Sequence, residues 1–291
     1  MKKKSDRYIN PLSGEFIDVD ENQRIIIITN EQDKFLKKKK ELELNLKILN
    51  DELGGFIFIL FKYCDNLLLD HKELSQEDIV RLFYLATFAN KEFYFIRNNK
   101  FMKRSNINNI LQISRTNFDI FFNKMINLKI FIQNTNDKHI KINSNFFTSG
   151  KISDEIKKYY NYTRLYVKTI RYLFENVDKN KHRYLGRYFK LIPFIHRQKN
   201  ILCWNPESKI DDMSMMHISD IQGILNFDGR TVRKFIKELL SIRLMNGESI
   251  IGLFRTEIDE SESYIIINPK VFYGGNFDLP EGMNSILKWF Y

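Results

Sequence analysis

Between Asn106 and Met245 the apolar residues fall on helical spacing twice, and the two patterns superpose. NINNILQISRTNFDIFFNKMINLKIF (106–131) and DIQGILNFDGRTVRKFIKELLSIRLM (220–245) align without a gap at an offset of 114 residues, as Ile107 against Ile221 and Ile130 against Leu244 show. Ile107, Ile110, Leu111 and Ile113 match Ile221, Ile224, Leu225 and Phe227. Phe118, Phe121, Phe122, Met125 and Ile126 match Val232, Phe235, Ile236, Leu239 and Leu240. Such self-similarity marks two copies of one structural unit. In the longer segment of each copy the apolar positions recur at i, i+3, i+4, i+7 and i+8, the period of a helix that buries one face. Ser105 and Ser219 stand near the start of the shorter helix as N-cap candidates, and Ser114 and Asp228 before the longer one. A side-chain oxygen there accepts a backbone N–H that the helix leaves free. The pattern predicts a helix-turn-helix in each copy.

The period then shifts toward strands. KIFIQNTNDKHIKIN reads as a hairpin turning at Thr135, Asn136 and Asp137, while ESIIGLFRTEI and SYIIIN flank a polar DESE in the second copy. The closing segments INSNFFTSG (142–150) and INPKVFYGG (267–275) match at an offset of 125, so the second hairpin or its surroundings carry 11 added residues. A helix-turn-helix followed by a hairpin is a winged helix. Upstream helices complete each core: LSQEDIVRLFYLATFAN, opening with Ser75 and Asp78 in capping-box spacing, and RLYVKTIRYLFENV with YLGRYFKLIPFI. The polar KISDEIKKYYNYT (151–163) reads as a linker. Near the start, INPLSGEFIDVDENQRIIIIT reads as a hairpin turning at Ser13 and Gly14. A helix with Leu42, Leu46, Leu49 and Leu53 on one stripe follows, stopped by Gly54. The predicted class is mainly α with small β-hairpins, an α+β chain. It comprises an N-terminal hairpin and helix (1–53), tandem winged-helix domains (54–150 and 164–277) and a tail (278–291).

Composition narrows the partner. With 43% hydrophobic residues, 12 Gly and 5 Pro in 291 residues, a mostly disordered chain is excluded. A net charge of +10 predicts an anionic partner. MKKKSDRYINP has a basic start with no apolar region behind it, and the run Phe56 to Phe61 is far shorter than the roughly 18 residues of a membrane span. A cytoplasmic protein without a membrane partner is expected. Cys64 and Cys203 lie outside any CxxC spacing, which indicates reduced thiols and no zinc. The five histidines, His71, His139, His182, His196 and His217, never form HxH, so a strand-borne metal site with a tyrosine nucleophile is not expected, and Tyr159, Tyr160 and Tyr162 read as packing or stacking residues. SGKIS (149–153) lacks the upstream glycine and the Ser or Thr of a phosphate-binding loop. No catalytic residue, cofactor or metal is expected.

The charge has a definite address. Arg230, Arg233, Lys234 and Lys237 fall at i, i+3, i+4 and i+7, opposite the apolar stripe of Val232, Phe235, Ile236 and Leu239. In a winged helix this second helix enters the major groove. Arg230 and Arg233 are candidates for guanine edges, Thr231 for a base or phosphate, and Lys234 and Lys237 for phosphates. The first copy carries Thr116, Asp119, Ile120 and Asn123 at the four cationic places, although Arg115, Thr116, Asn117 and Lys124 leave some DNA contact open to it. Residues 115–129 hold three cations and one anion, against five and one in 229–243. The second copy is thus expected to be the main reader of double-stranded DNA, and the first a weaker reader or a dimerisation module.

RTVRKFIKELLSIRLM and IIINPKVFYGG, with the fainter RTNFDIFFNKMINLKIF and KINSNFFTSG, resemble replication initiator proteins of plasmids and phages with two winged helices in tandem. LSGEFIDVDEN is similar to a segment near the start of such proteins. The resemblance spans roughly 54 to 277 and implies that one domain forms a homodimer while the other binds repeated origin sites, with replication or transcription machinery as further partners. Asp259, Glu260 and Glu262 at the tip of the second hairpin depart from it, because phosphates repel three carboxylates. A transcriptional repressor or regulator of a mobile element is the alternative on the same fold, and a protein-binding adaptor a third reading, since a fold does not dictate its use.

Overall fold

The computed structural model of the chain describes residues 6–9, 16–19, 34, 37, 40, 47, 51–60, 73–134, 138–148, 162–255, 263–274, 286 and 288–290. It divides into two compact units, Met1–Asn45 and Leu46–Tyr291. In the first, β1 (Asp6–Ile9) pairs antiparallel with β2 (Phe16–Val19), Asp6 opposite Val19 and Ile9 opposite Phe16. The turn assigned to Ser13 and Gly14 lies outside the described residues. Lys34, Lys37 and Lys40 are exposed helical positions.

The second unit mixes helices with small antiparallel sheets, an α+β arrangement. Its first copy runs β3 (Phe56–Leu60), α1 (Gln76–Ala86), β4 (Ile96–Arg97), β5 (Lys100–Phe101), α2 (Arg104–Leu111), α3 (Arg115–Asn127), β6 (Phe131–Gln133), β7 (Ile140–Ile142) and β8 (Phe147–Thr148). The second runs β9 (Tyr162–Tyr166), α4 (Val167–Asn176), α5 (His182–Phe189), α6 (Ile218–Ile224), α7 (Gly229–Ser241), β10 (Ile251–Phe254), β11 (Tyr264–Ile267) and β12 (Phe272–Tyr273). Gly54, at φ +71°, takes the left-handed conformation that ends the helix before it at little cost to glycine.

Both copies build a helix, a short strand, two helices and a hairpin, and the short strand joins the hairpin. Phe95 N–H donates to the Ile140 carbonyl (3.1 Å) in the first, and Leu202 N–H to the Ile265 carbonyl (3.0 Å) in the second. Two backbone sites repeat with them. Phe93 and Asn200 precede the short strand with φ 69° and 55°, and Gln112 and Asn226 turn between the paired helices with φ 50° and 53°. The shared INxx segments now have a cause. Asn143 Nδ2 donates to the Lys129 carbonyl (3.0 Å) while its Oδ1 accepts from Asn145 N–H (3.0 Å). Asn268 repeats this with the Ser249 carbonyl (2.9 Å) and Lys270 N–H (2.9 Å). The added residues divide in two: Phe131 pairs Ile142 where Ile251 pairs Ile267, so the offset reaches 120 before the hairpin and 125 after it.

A four-stranded sheet, ordered β12-β9-β3-β8, joins the copies through the antiparallel pair β3·β9. Its register is symmetric under exchange of the copies about the pair Phe58↔Arg164. Ile59 faces Phe147 as Leu165 faces Phe272, and Phe58 faces Thr148 as Arg164 faces Tyr273. The same exchange relates four buried rings. Phe83 stacks on Phe189 (centroids 4.6 Å, 18°), with Phe147 edge-on to Phe83 (5.6 Å) and Phe272 edge-on to Phe189 (5.5 Å). Both copies therefore share one apolar core. Gly186 of α5 permits the helices α1 and α5 to meet closely, since a Cβ there would lie 2.1 Å from the Gln76 carbonyl oxygen.

Several expectations are corrected. The segment 151–163 does not end as linker: Tyr162 and Thr163 open β9, and Arg164, Leu165 and Tyr166, assigned above to a helix, continue it. Tyr162, Thr163 and Tyr166 fit a pleated strand, and the apolar β3 beside them needs a hydrogen-bonding partner on that edge. Ser105 and Ser219 are not N-caps, for α2 and α6 begin one residue earlier, after Lys103 and His217. Side chains of the first turn cap these backbones instead: Asn106 Oδ1 accepts from Lys103 N–H (2.8 Å) and Asp220 Oδ2 from His217 N–H (2.9 Å). Leu53, placed with the N-terminal module, packs with Tyr166 and Ile286 in the second unit, and Phe290 of the tail packs there too. The hairpin turn at 135–137, the acidic tip with Asp259, Glu260 and Glu262, Cys64, His71, Tyr159, Tyr160 and SGKIS lie outside the described residues. Among the described residues no helix is long and apolar enough to cross a membrane.

Candidate nucleic-acid interface

α7 is fixed from three sides. Its start is held by Asp228, whose carboxylate accepts from Thr231 N–H (2.6 Å) and from the Thr231 hydroxyl (2.9 Å). These two hydrogen bonds hold the Asp228 carboxyl below its ordinary range, so it is charged at neutral pH. Val232, Phe235, Ile236 and Leu239 are buried in the core, each contributing about 1.5–3 kcal/mol relative to exposure. Glu238, the one anion of 229–243, pairs with Lys181 (3.3 Å), which ties the helix to the segment before α5.

What remains outward is positive. Arg230, Arg233, Lys234 and Lys237 are all exposed, and none forms an ion pair among the described residues. With Glu238 neutralised by Lys181, these cations keep their donors for an external anion. Arg243, exposed just beyond the helix, adds charge that helical periodicity did not reveal because it lies past the last turn. Thr231 is half-buried, and its hydroxyl proton is committed to Asp228, so only its oxygen lone pairs remain for a ligand. The same cap occupies Thr231 N–H. Anion contacts at this end fall to side chains rather than to a bare helix N-terminus.

α3 begins in the same way, with Ser114 Oγ accepting from Asn117 N–H (3.3 Å), and buries Phe118, Phe121, Phe122 and Met125. Its polar groups are turned to internal use. Lys124 is not part of a free cationic surface: its Nζ donates to Asp78 Oδ2 at 2.6 Å, and Asp78, a buried acid, also pairs with Arg81 (2.9 Å). Desolvating Asp78 is what draws Lys124 inward. Asp119 pairs with Arg104 (2.6 Å), whose guanidinium lies over the Phe122 ring (4.6 Å). Arg115, Thr116 and Asn117 are exposed, and Ile120, at the place of Lys234, is 58% exposed. The structure thus brings together four of the five residues singled out on the second helix pair as free donors, and three of the four on the first as exposed neighbours.

Among the described residues no three His, Cys, Asp or Glu side chains cluster to hold a metal. Cys203 is buried, and burial pushes its thiol up to about 11. Compared with protein-family models, with curated proteins and with solved structures, the chain matches none.

Proposed function

We propose that the two copies are winged helices and that the protein binds duplex DNA at specific sites, with α7 seated in the major groove. The exposed stripe of Arg230, Arg233, Lys234 and Lys237 on the second helix of its pair, without an ion pair among the described residues, carries this reading. The guanidinium groups offer paired donors suited to guanine O6 and N7, and the ammonium groups offer point charges for phosphates. Two phosphate contacts, from Lys234 and Lys237, at about 0.9 log units each give a salt slope near −1.8 from this helix. With the resemblance noted above, the role is that of a replication initiator acting at repeated origin sites of a plasmid or phage. Selection from a random duplex pool tests it: direct repeats beside the gene match an initiator, an inverted repeat over a promoter matches a repressor, and no retained duplex at about 50 mM salt leaves the adaptor.

The first copy is the dimerisation module in this proposal, supported by the exposed Ile120 where the second copy has Lys234. Replacing an interface isoleucine by glutamate would bury a charge without a partner. I120E is expected to shift a dimer to monomer in light scattering while the melting temperature holds.

A further inference from the structure

The connection between the short strand and the paired helices differs most between the copies. In the first it is the tight hairpin β4–β5, turned by Asn98 and Asn99 at φ 51° and 58°, two left-handed residues of the kind a type I′ turn needs. In the second it is seven residues longer, as Phe95 against Leu202 and Met102 against Met216 show, and it carries Glu207, Asp211 and Asp212. The hairpin of the first copy walls a cavity of about 390 Å³ against α2. Arg97, Lys100 and Phe101 line it from the hairpin and Asn106 and Asn109 from the helix, with no carboxylate among the lining residues.

Phe101 is placed as a platform. One face of its ring is covered by the His139 imidazole (centroids 4.3 Å, 23°), and Tyr94 meets it edge-on (5.3 Å). The ring is nevertheless 46% exposed, and Lys141 Nζ sits 4.0 Å from the Tyr94 centroid, adding positive charge behind the aromatic group. Burying Phe101 would have been favourable on apolar area alone. Arg97 and Lys100 are exposed, with no ion pair among the described residues. A half-open ring, the Asn109 carboxamide and the Asn106 Nδ2 lining a cavity roomy enough for a base, and flanking cations without an ion pair among the described residues are what an unstacked nucleotide in a strand needs. A duplex does not fit this description, because its bases already stack on each other.

We infer that this cavity binds one base of a single-stranded DNA segment, stacked on Phe101, with Arg97 and Lys100 on the adjoining phosphates. The reading stands on elements other than α7 and holds whether or not α7 reads duplex. The experiment uses the full chain and a fluorescent twelve-residue oligothymidylate, with anisotropy at low salt and no duplex present. F101A is expected to weaken binding about 5- to 150-fold, the range of one lost base stack. F101W should retain affinity, and its added indole fluorescence should be quenched as oligonucleotide is titrated. An F101A affinity equal to wild type, or an F101W signal that does not respond to saturating oligonucleotide, overturns the proposal. So does thymidine monophosphate binding as tightly as the oligomer, which would make the site one for a free nucleotide. Because Phe101 is exposed, an unchanged melting temperature of F101A shows that lost binding is not lost fold.

Discussion

α3 and α7 occupy equivalent places, start from equivalent caps and bury equivalent faces, yet they spend their charges in opposite ways. On α7 the single carboxylate is neutralised by Lys181, and four exposed cations have no ion pair among the described residues. On α3 Lys124 is drawn onto buried Asp78 and Asp119 onto Arg104, and an isoleucine stands outward. A duplicated scaffold fixes backbone and core, while the outward face and the ion pairs beneath it are free to diverge. What distinguishes a ligand-facing cation from a structural one is the carboxylate it already has.

The sharpest break in this comparison would come at the residues the copies share. Phe83→Ala and Phe189→Ala should each cost about 3–5 kcal/mol in urea unfolding, as truncation of a buried aromatic ring does. Because the rings stack across the two copies, a double-mutant cycle should show coupling of about 0.5–1.5 kcal/mol. Independent losses would mean that the copies fold as separate cores. Next in size, Arg230→Ala or Arg233→Ala should weaken binding of a selected duplex by about 1–3 kcal/mol each. Arg115→Ala should cost less than about 0.5 kcal/mol, and equal losses in a gel-shift titration would abolish the division between the copies.

A pH effect should separate the copies as well. His196 Nδ1 accepts from Gln198 N–H and Lys199 N–H (both 3.3 Å), leaving Nε2–H to donate to the Ser208 carbonyl (3.1 Å), and burial lowers its pKa. Its counterpart Asn90 accepts from Glu92 and Tyr94 N–H (3.0 and 2.9 Å) without titrating. The unfolded chain takes up the proton first, so stability falls as pH drops below about 6.5 and continues to fall until the folded-state value is passed. His182, also lowered by burial, acts in the same direction. His196→Asn should reduce the loss of stability between pH 7 and 5 in thermal melts, and an unchanged pH profile would show that His196 does not titrate on unfolding.

The smallest effects lie at the caps. Ser114→Ala should cost about 1 kcal/mol, read from the melting temperature. Asp228 differs because it places a carboxylate beside the proposed phosphate path. Asp228→Ser, which keeps a capping oxygen, should tighten binding of any duplex by about two- to five-fold, since one repulsive charge is gone. Weaker binding would mean that the carboxylate orders Arg230 rather than opposing the ligand.

The helix pairs and the caps Ser114, Asp228 and Ser75 were legible in sequence because helical period and capping are set within a few residues. The shared sheet was not. Phe56–Leu60 is a continuous apolar run that could belong to strand or helix, and its partner strand lies 106 residues away behind a polar stretch. Lys124 was misplaced for a related reason: its carboxylate is 46 residues upstream, and nothing local to α3 reveals that Asp78 is buried. The cationic stripe of α7 could be read because exposure follows from periodicity once the opposite face is apolar. The β4–β5 cavity could not, since it depends on how a hairpin and a helix meet.

The separation of roles between the helices is tested most directly by salt titrations of binding to one selected duplex. Wild type, K234A/K237A and R115A would be compared from about 50 to 200 mM salt. Removing two phosphate contacts on α7 should lower the magnitude of the slope of log affinity against log salt by about 1.8, while R115A leaves it unchanged. A slope unaffected by the α7 variant, or reduced as much by R115A, would contradict the account.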